Sequence, residues 1–156
     1  MLAAADHYKI INDQFAAAFG RRYGCIETLI PRGAKNVIVT AGAMSETVRW
    51  KLPELPETGL IQLRMFRPFP AAEISKLIEE KSIEKVIAID RNCSAGVGGI
   101  MGQELKAAFY DMDQKPALVN LILAGGIDLT GTMLEQICRL AVKQGTVTEK
   151  WGGDKL

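Results

Sequence analysis

The chain has 156 residues, of which 48% are hydrophobic and 24% are charged, and its formal net charge at pH 7 is +1. These values are typical of a single globular domain with a packed core, and they exclude a disordered chain. The near-neutral charge argues against a partner that is nucleic acid or an anionic membrane, and no apolar run approaches the ~20 residues of a membrane span.

The chain begins with a predicted helix. Apolar residues recur at helical spacing over Asp6–Phe19, with Asp6 placed to cap the start and Gly20 to end the helix. A basic linker follows, so residues 1–24 are interpreted as an N-terminal helix and linker. His7 is the only histidine, which excludes a multi-histidine metal site within this chain.

Strands and helices then alternate at short loop lengths, with Ser45 and Thr130 predicted as helix caps. This alternation predicts a three-layer α/β/α sandwich with a mostly parallel sheet over residues 25–143, and a loose tail over 144–156. The predicted strands are Cys25–Ile30, Val37–Ala41, Leu60–Met65, Lys85–Asp90 and Pro116–Leu123. The predicted helices are Ser45–Lys51, Ala71–Lys81, Ile100–Tyr110 and Met133–Lys143.

A small-residue loop follows the fourth strand and contains Gly96, Gly98 and Gly99. In a parallel sheet, ligands bind outside the carboxyl ends of strands, and the next helix begins with unpaired N–H groups that suit an anion. The other interpretation is that the glycines only turn a tight corner, since this short run lacks a complete phosphate-binding fingerprint. We expect Gly98 or Gly99 to adopt a conformation that a side chain disfavours.

Polar and charged side chains accompany this loop. Asp90 is interpreted as an ionised structural partner of a nearby group, while Asn92 and Ser94 are expected to bond local backbone groups. Arg64, Arg67 and Arg91 each come at or just after a strand end, which predicts a basic rim for a carboxylate, a phosphate or an acidic partner. The partner is favoured, because no catalytic side chains accompany the arginines.

Phe66–Pro70 holds two phenylalanines, Arg67 and two prolines. The prolines fix an extended conformation, so we expect this segment to pack on another surface rather than act in catalysis.

No catalytic or metal-binding motif is complete in this sequence. Cys25, Cys93 and Cys138 are widely spaced and form no C-x-x-C pair, so neither an iron–sulfur cluster nor a zinc site is predicted. Ser94 has no histidine to activate it, which argues against a serine hydrolase. The unpaired cysteines, and the absence of an apolar segment before Asp6, indicate a cytoplasmic protein.

Three segments together resemble the second domain of the α subunit of 2-oxoacid:ferredoxin oxidoreductases, with the pyruvate enzyme nearest in appearance. They are Leu63–Pro70, then Ile89–Asn92 with Ser94, Gly96 and Gly99, then Leu123–Asp128. The resemblance covers nearly the whole chain to about residue 141, and it implies a fold similar to the transketolase C-terminal domain, with five strands of which the first is antiparallel.

The resemblance also implies a role. The family's holoenzyme decarboxylates a 2-oxoacid oxidatively, forms an acyl-CoA and reduces ferredoxin, using thiamine diphosphate and iron–sulfur clusters that other domains or subunits bind. The chain is therefore expected to be an assembly domain, inactive alone and working in an oligomer, and either an excerpt or a split subunit. The alternative is a stand-alone module that binds an anion such as CoA at Gly96–Gly99.

Two segments depart from the family pattern. Ala41–Met44 stands where the family often has Gly-Ser, and Ile127 stands where an arginine is usual between glycine and aspartate. Any polar contact that depends on that arginine is not expected here.

Overall fold

A computed structural model describes residues 2–123, 125–143 and 147–152. In chain order, the helices are α1 (Leu2–Phe19), α2 (Ala43–Lys51), α3 (Ala71–Glu80), α4 (Ile100–Ala108) and α5 (Gly131–Lys143). The strands are β1 (Ile26–Leu29), β2 (Asn36–Ala41), β3 (Thr58–Leu63), β4 (Lys85–Asp90), β5 (Cys93–Ser94), β6 (Gly98–Gly99), β7 (Ala117–Leu123) and β8 (Val147–Gly152).

The main sheet has the strand order β1-β3-β2-β4-β7-β8. β1 runs antiparallel to β3, and the other neighbouring pairs are parallel. The central strands are runs of β-branched and aliphatic residues buried on both faces, as in a parallel sheet covered by helices. All five predicted strands are present, and the predicted antiparallel first strand is confirmed.

Helices cover both faces of the sheet and divide the core into two layers. Beneath α3 and α4, side chains such as Ile74 and Leu105 pack on Val37, Val39 and Val86. Beneath α2 and α5, a second cluster includes Val48, Leu134, Ile38, Leu60 and Ile87. This arrangement confirms the predicted α/β/α sandwich.

Two predicted helix caps are wrong. α1 extends back to Leu2, so Asp6 lies inside the helix instead of at its start. α2 begins after Gly42, whose φ of 63° turns the chain, and Ser45 lies buried within the helix with no side-chain capping bond. The β2–α2 corner therefore depends on a glycine backbone conformation. The cap predicted at Thr130 is confirmed by a 3.2 Å bond from the Met133 N–H to its hydroxyl.

Three further strands were not predicted. β5 and β6 form a small antiparallel hairpin within the glycine loop. Residues 147–152, predicted as part of a loose tail, instead form β8 and add a sixth strand beside β7. The sequence of β8 lacks an apolar run, so its pairing depends on the open edge that β7 offers. The other residues of the predicted tail, 144–146 and 153–156, lie outside the described part of the chain.

Within the described ranges, no helix is both long enough and apolar enough to cross a membrane.

Candidate functional site at the carboxyl edge of the sheet

Asp90, the last residue of β4, is buried with 3% of its surface exposed. One carboxylate oxygen accepts a hydrogen bond from the Asn92 N–H at 2.9 Å, and the other accepts one from the Met101 N–H at 3.0 Å. The Ile100 N–H donates to the Asn92 carbonyl at 3.3 Å. The Asp90 carboxylate therefore bonds an N–H group in the first turn of α4. An external anion at this helix start was one of the two interpretations of the glycine loop.

The glycine loop between them is ordered as the β5–β6 hairpin. Ser94 pairs with Gly98 in the ladder, and its carbonyl accepts the Val97 N–H at 3.0 Å. Gly96 and Gly98 have φ values of 76° and 88°, in the left-handed region that a side chain disfavours. The conformational prediction for Gly98 or Gly99 is confirmed at Gly98.

Gly99 is required for a different reason, which the sequence analysis missed. A Cβ atom built on Gly99 would lie 2.6 Å from Nδ2 of Asn120, and one built on Gly102 would lie 2.4 Å from the same atom. Asn120 is 1% exposed, and no described group bonds to its amide. The sequence offered one signal, a lone amide inside the apolar run of β7. It did not show that this amide packs against Gly99 of β6 and Gly102 of α4.

Arg91 links β4 to the loop that follows β7. Its guanidinium donates to the Ile127 carbonyl at 2.8 Å and lies 3.6 Å from the Asp128 carboxylate, which is 95% exposed. A carbonyl accepts this bond, so position 127 contributes through its backbone although its side chain departs from the family pattern.

The three arginines of the predicted basic rim each contact a different element of the chain. Arg64 forms an ion pair with Glu27 of β1, while Arg67 forms one with Glu104 of α4 at 2.9 Å. Arg91 engages the loop after β7, as described above. β2 separates β3 from β4 in the sheet, and each arginine contacts a carboxylate from a different element, so binding of a partner at these arginines stays a prediction.

The segment Phe66–Pro70 packs on its own domain. The rings of Phe66 and Phe69 meet edge to face, with centroids 6.0 Å apart, and both contact the core beneath α3 and α4. The Arg67 guanidinium lies 4.4 Å from the Phe66 ring centroid and also holds Glu104. These contacts describe a packing segment that joins the end of β3 to α4.

The three thiols occupy separate parts of the fold and none is in a disulfide. Burial raises the pKa of Cys138 to about 11 and also raises the pKa of Cys25, so both are held as thiols. Among the described residues, no three His, Cys, Asp or Glu side chains group to hold a metal ion.

Four surface cavities lie away from the glycine loop, and the lining of none of these four includes a residue of Gly96–Gly99. One of them, a groove of about 540 Å³, is lined by Arg21, Arg22 and Arg64 beside Tyr23 and Glu27. The first turn of α4 is thus bonded to the end of β4, while the arginine-lined cavity lies beside the α1–β1 linker.

Comparison with known proteins identifies the family. Residues 34–137 match the family described as pyruvate:ferredoxin oxidoreductase core domain II. The chain belongs to this family. All nine candidate positions, from Arg64 to Gly99, fall inside core domain II. The resemblance derived from the three motifs is confirmed.

Relatives of core domain II occur in several 2-oxoacid oxidoreductases. Pyruvate synthase subunit PorA of Methanothermobacter thermautotrophicus is 34% identical over 81% of this chain and 33% of its own length. Ketoisovalerate oxidoreductase subunit VorA of Pyrococcus horikoshii is 33% identical over 78% of this chain and 32% of its own length. The chain therefore spans about a third of the length of these relatives.

Solved structures confirm the fold. A chain of 2-oxoglutarate:ferredoxin oxidoreductase from Magnetococcus marinus, with 2-oxoglutarate, coenzyme A and succinyl-CoA bound, has a TM-score of 0.56 and 21% identity. The alignment covers 87% of this chain and 22% of that chain. A split-gene transketolase, an inactive β4 tetramer, has a TM-score of 0.55 and 14% identity, covering 79% and 43%. The core domain II fold is thus similar to a transketolase fold, as the sequence implied.

Proposed function

We propose that the chain is an assembly domain of the α subunit of a 2-oxoacid:ferredoxin oxidoreductase. One observation carries this proposal: the polar groups at the carboxyl edge are bonded within the chain. The carboxylate of Asp90 is bonded to two backbone N–H groups, and Arg67 and Arg91 are held by Glu104 and the Ile127 carbonyl. Side chains engaged in this way position elements of the fold rather than react with a substrate.

The relatives support the substrate class of the holoenzyme. Their names refer to pyruvate and ketoisovalerate, and the similar solved structure holds 2-oxoglutarate. All three compounds are 2-oxoacids, so we assign this class, with pyruvate the first choice. The holoenzyme would convert the 2-oxoacid to carbon dioxide and an acyl-CoA while ferredoxin accepts the electrons.

Other domains or subunits would bind the cofactors. When bound there, thiamine diphosphate supplies the carbanion chemistry of decarboxylation and the clusters carry electrons. In the described part of the chain, no three His, Cys, Asp or Glu side chains group together, and the start of α4 already meets a carboxylate. These observations do not fit a cluster, a diphosphate or CoA at those positions, so no reaction step is assigned to this chain.

The alternative function, a stand-alone module that binds an anion at Gly96–Gly99, is disfavoured by Asp90. An anion at the first turn of α4 would meet this buried carboxylate at the N–H of Met101, and like charges at short range repel. We therefore retain the assembly role, in an oligomer located in the cytoplasm, with residues 25–143 as the domain and 1–24 as its helix and linker.

The test compares the chain alone with the complete complex. The chain is expressed alone and together with the other subunits of the oxidoreductase, and 2-oxoacid-dependent reduction of ferredoxin is measured with thiamine diphosphate and CoA. We expect no turnover from the chain alone, and turnover from a complex in which the chain co-elutes with the other subunits. Turnover by the chain alone, or full activity of a complex lacking it, would contradict the proposal.

A matched variant separates assembly from chemistry. Arg67→Gln removes the ion pair with Glu104 at the carboxyl edge, and Arg139→Gln makes the same change in charge on the exposed face of α5. We expect both variants to show turnover within about twofold of wild type per assembled complex, because neither group reacts. A large fall in turnover for Arg67→Gln in a fully assembled complex would instead place Arg67 in the reaction.

A further inference from the structure

We propose that the groove between the α1–β1 linker and the β1 edge of the sheet binds a phosphate-bearing small molecule. This surface, called here the arginine groove, is lined by Arg21, Arg22, Tyr23, Glu27 and Arg64, with Thr28 at its side. Its volume of about 540 Å³ lies in the range of small-molecule sites, roughly 300–1,000 Å³. The inference does not depend on the proposed assembly role.

Arg64 is held in place in this groove. Its guanidinium stacks over the Tyr23 ring, 4.7 Å from the centroid, and one terminal nitrogen donates to Glu27. Its side chain is 29% exposed. A guanidinium has five N–H donors in a rigid fork, so this contact leaves donors for a ligand oxygen. The stacking fixes the direction of the fork before any ligand arrives.

Glu27 does not cancel this charge. Its carboxylate is shared between Arg64 and Arg49, whose contact is 3.0 Å, and these two guanidinium groups lower the pKa of Glu27. A carboxylate bonded by two cations repels an incoming anion less than a free one. Arg64 lines the groove, while Arg49 lies outside its lining and also contacts the Glu46 carboxylate at 3.4 Å.

Arg21 and Arg22 add positive charge to the lining of the groove. Arg22 contacts the Asp13 carboxylate of α1 at 2.5 Å. Arg21 lies 5.9 Å from the centroid of the Phe15 ring, and no carboxylate among the described residues pairs with it. A cation with no anionic partner among the described residues, lining the same groove as the fixed guanidinium of Arg64, suits an oxyanion ligand.

The linker that places Arg21 and Arg22 is itself fixed by bonds to α1. The Tyr8 hydroxyl donates to the carbonyls of Tyr23 and Gly24 at 3.2 and 3.1 Å, and the Tyr23 N–H donates to the Asn12 side chain at 2.8 Å. The backbone beside Arg21 and Arg22 is thus fixed relative to α1. Three arginines line this groove, and a phosphate group has three acceptor oxygens where a carboxylate has two, which favours phosphate as the ligand group.

The test uses the full chain and inorganic pyrophosphate as the probe, with binding measured by calorimetry at low salt. Arg21→Gln is the main variant because Arg21 makes few contacts in the fold, and Arg64→Gln is the second. Arg139→Gln on α5 is the control, since it removes the same charge from an exposed position outside the groove. Circular dichroism checks that each variant remains folded, and citrate serves as a polycarboxylate of comparable charge.

We expect pyrophosphate to bind the wild-type chain, and Arg21→Gln and Arg64→Gln each to weaken binding about tenfold, as loss of one charge-assisted hydrogen bond predicts. Arg139→Gln is expected to leave binding unchanged. Equal weakening by all three variants would show that binding depends only on the net charge of the chain, and it would overturn the proposal. Absence of pyrophosphate binding, or tighter binding of citrate, would overturn it as well.

Discussion

The carboxylate of Asp90 accepts the backbone N–H of Met101 at 3.0 Å, which joins the end of β4 directly to the first turn of α4. An N-cap side chain ordinarily accepts a hydrogen bond from a backbone N–H in the first turn of its helix. Asp90 accepts such a bond although it lies at the end of a strand. The residue that precedes α4, Gly99, has no side chain with which to cap it.

Asp90→Asn tests this link. The amide offers one acceptor oxygen for two N–H donors, so we expect the free energy of unfolding to fall by about 1.5–3 kcal/mol, as for loss of a hydrogen bond to a charged group. Denaturant unfolding of the whole chain measures the change. Asp111→Asn, at an exposed position after α4, is the control and should change stability little. Equal stability of the two variants would show that the Met101 bond contributes nothing.

The packing of Asn120 against Gly102 predicts a compensating pair of substitutions. Gly102→Ala places a methyl group where the Asn120 amide lies, so we expect a loss of about 1–3 kcal/mol from overpacking. Asn120→Ala removes both the obstruction and a buried amide that no described group bonds, so the double variant should recover most of this loss.

Gly125→Ala is the control for that experiment, because a Cβ there meets nothing within 4 Å. Thermal unfolding of the three variants and the double variant completes the cycle. Strictly additive effects of Gly102→Ala and Asn120→Ala would contradict the predicted contact.

Phe69→Ala tests the packing role of the segment Phe66–Pro70. The ring of Phe69 contacts Phe66 and the core, so we expect a loss of stability of about 1.5–3 kcal/mol and weaker assembly. Tyr110→Ala, at a ring that is 74% exposed, should cost much less. A Phe69→Ala complex that assembles and melts normally but loses turnover would instead assign the segment to catalysis.

Lys51 joins three elements and gives a pH-dependent prediction. Its ammonium contacts Glu135 of α5 and Glu54 after α2, both at 2.6 Å. The hydrogen bond from Lys51 lowers the pKa of Glu135 below its ordinary value of 4.5. A lowered pKa means that the unfolded chain binds the proton more tightly, so the contribution is present above pH 4.5 and is lost as pH falls through the folded-state pKa.

We therefore expect Glu135→Gln to lower the melting temperature at pH 7 and to approach wild type in acid. Glu79→Gln, at an exposed position of α3, is the control and should show no such pH dependence. Melting curves between pH 3 and pH 7 provide the measurement. A Glu135→Gln deficit that is constant over this range would show that the ion pair does not contribute.

The sequence by itself determined the elements of this fold. Runs such as Val86–Ile89 can be buried on both faces only in a covered parallel sheet, and the amphipathic pattern of α3 has one apolar face, so their types follow from local periodicity. α1 ends before Gly20 as predicted. Gly20 has a φ of 67°, which glycine adopts at little cost because it has no Cβ atom. The motifs at the strand ends were sufficient to identify the family.

Tertiary structure decided which groups meet. Strand order placed Arg64, Arg67 and Arg91 beside three different acceptors, and nothing in local spacing distinguishes Glu27, Glu104 and the Ile127 carbonyl from other possible partners. β8 formed because β7 had an open edge, although its own residues show no strand periodicity. Burial and hydrogen bonding depend on neighbours that are distant in the chain, and for that reason Asp90 caps α4 and the amide of Asn120 requires glycine at 99 and 102.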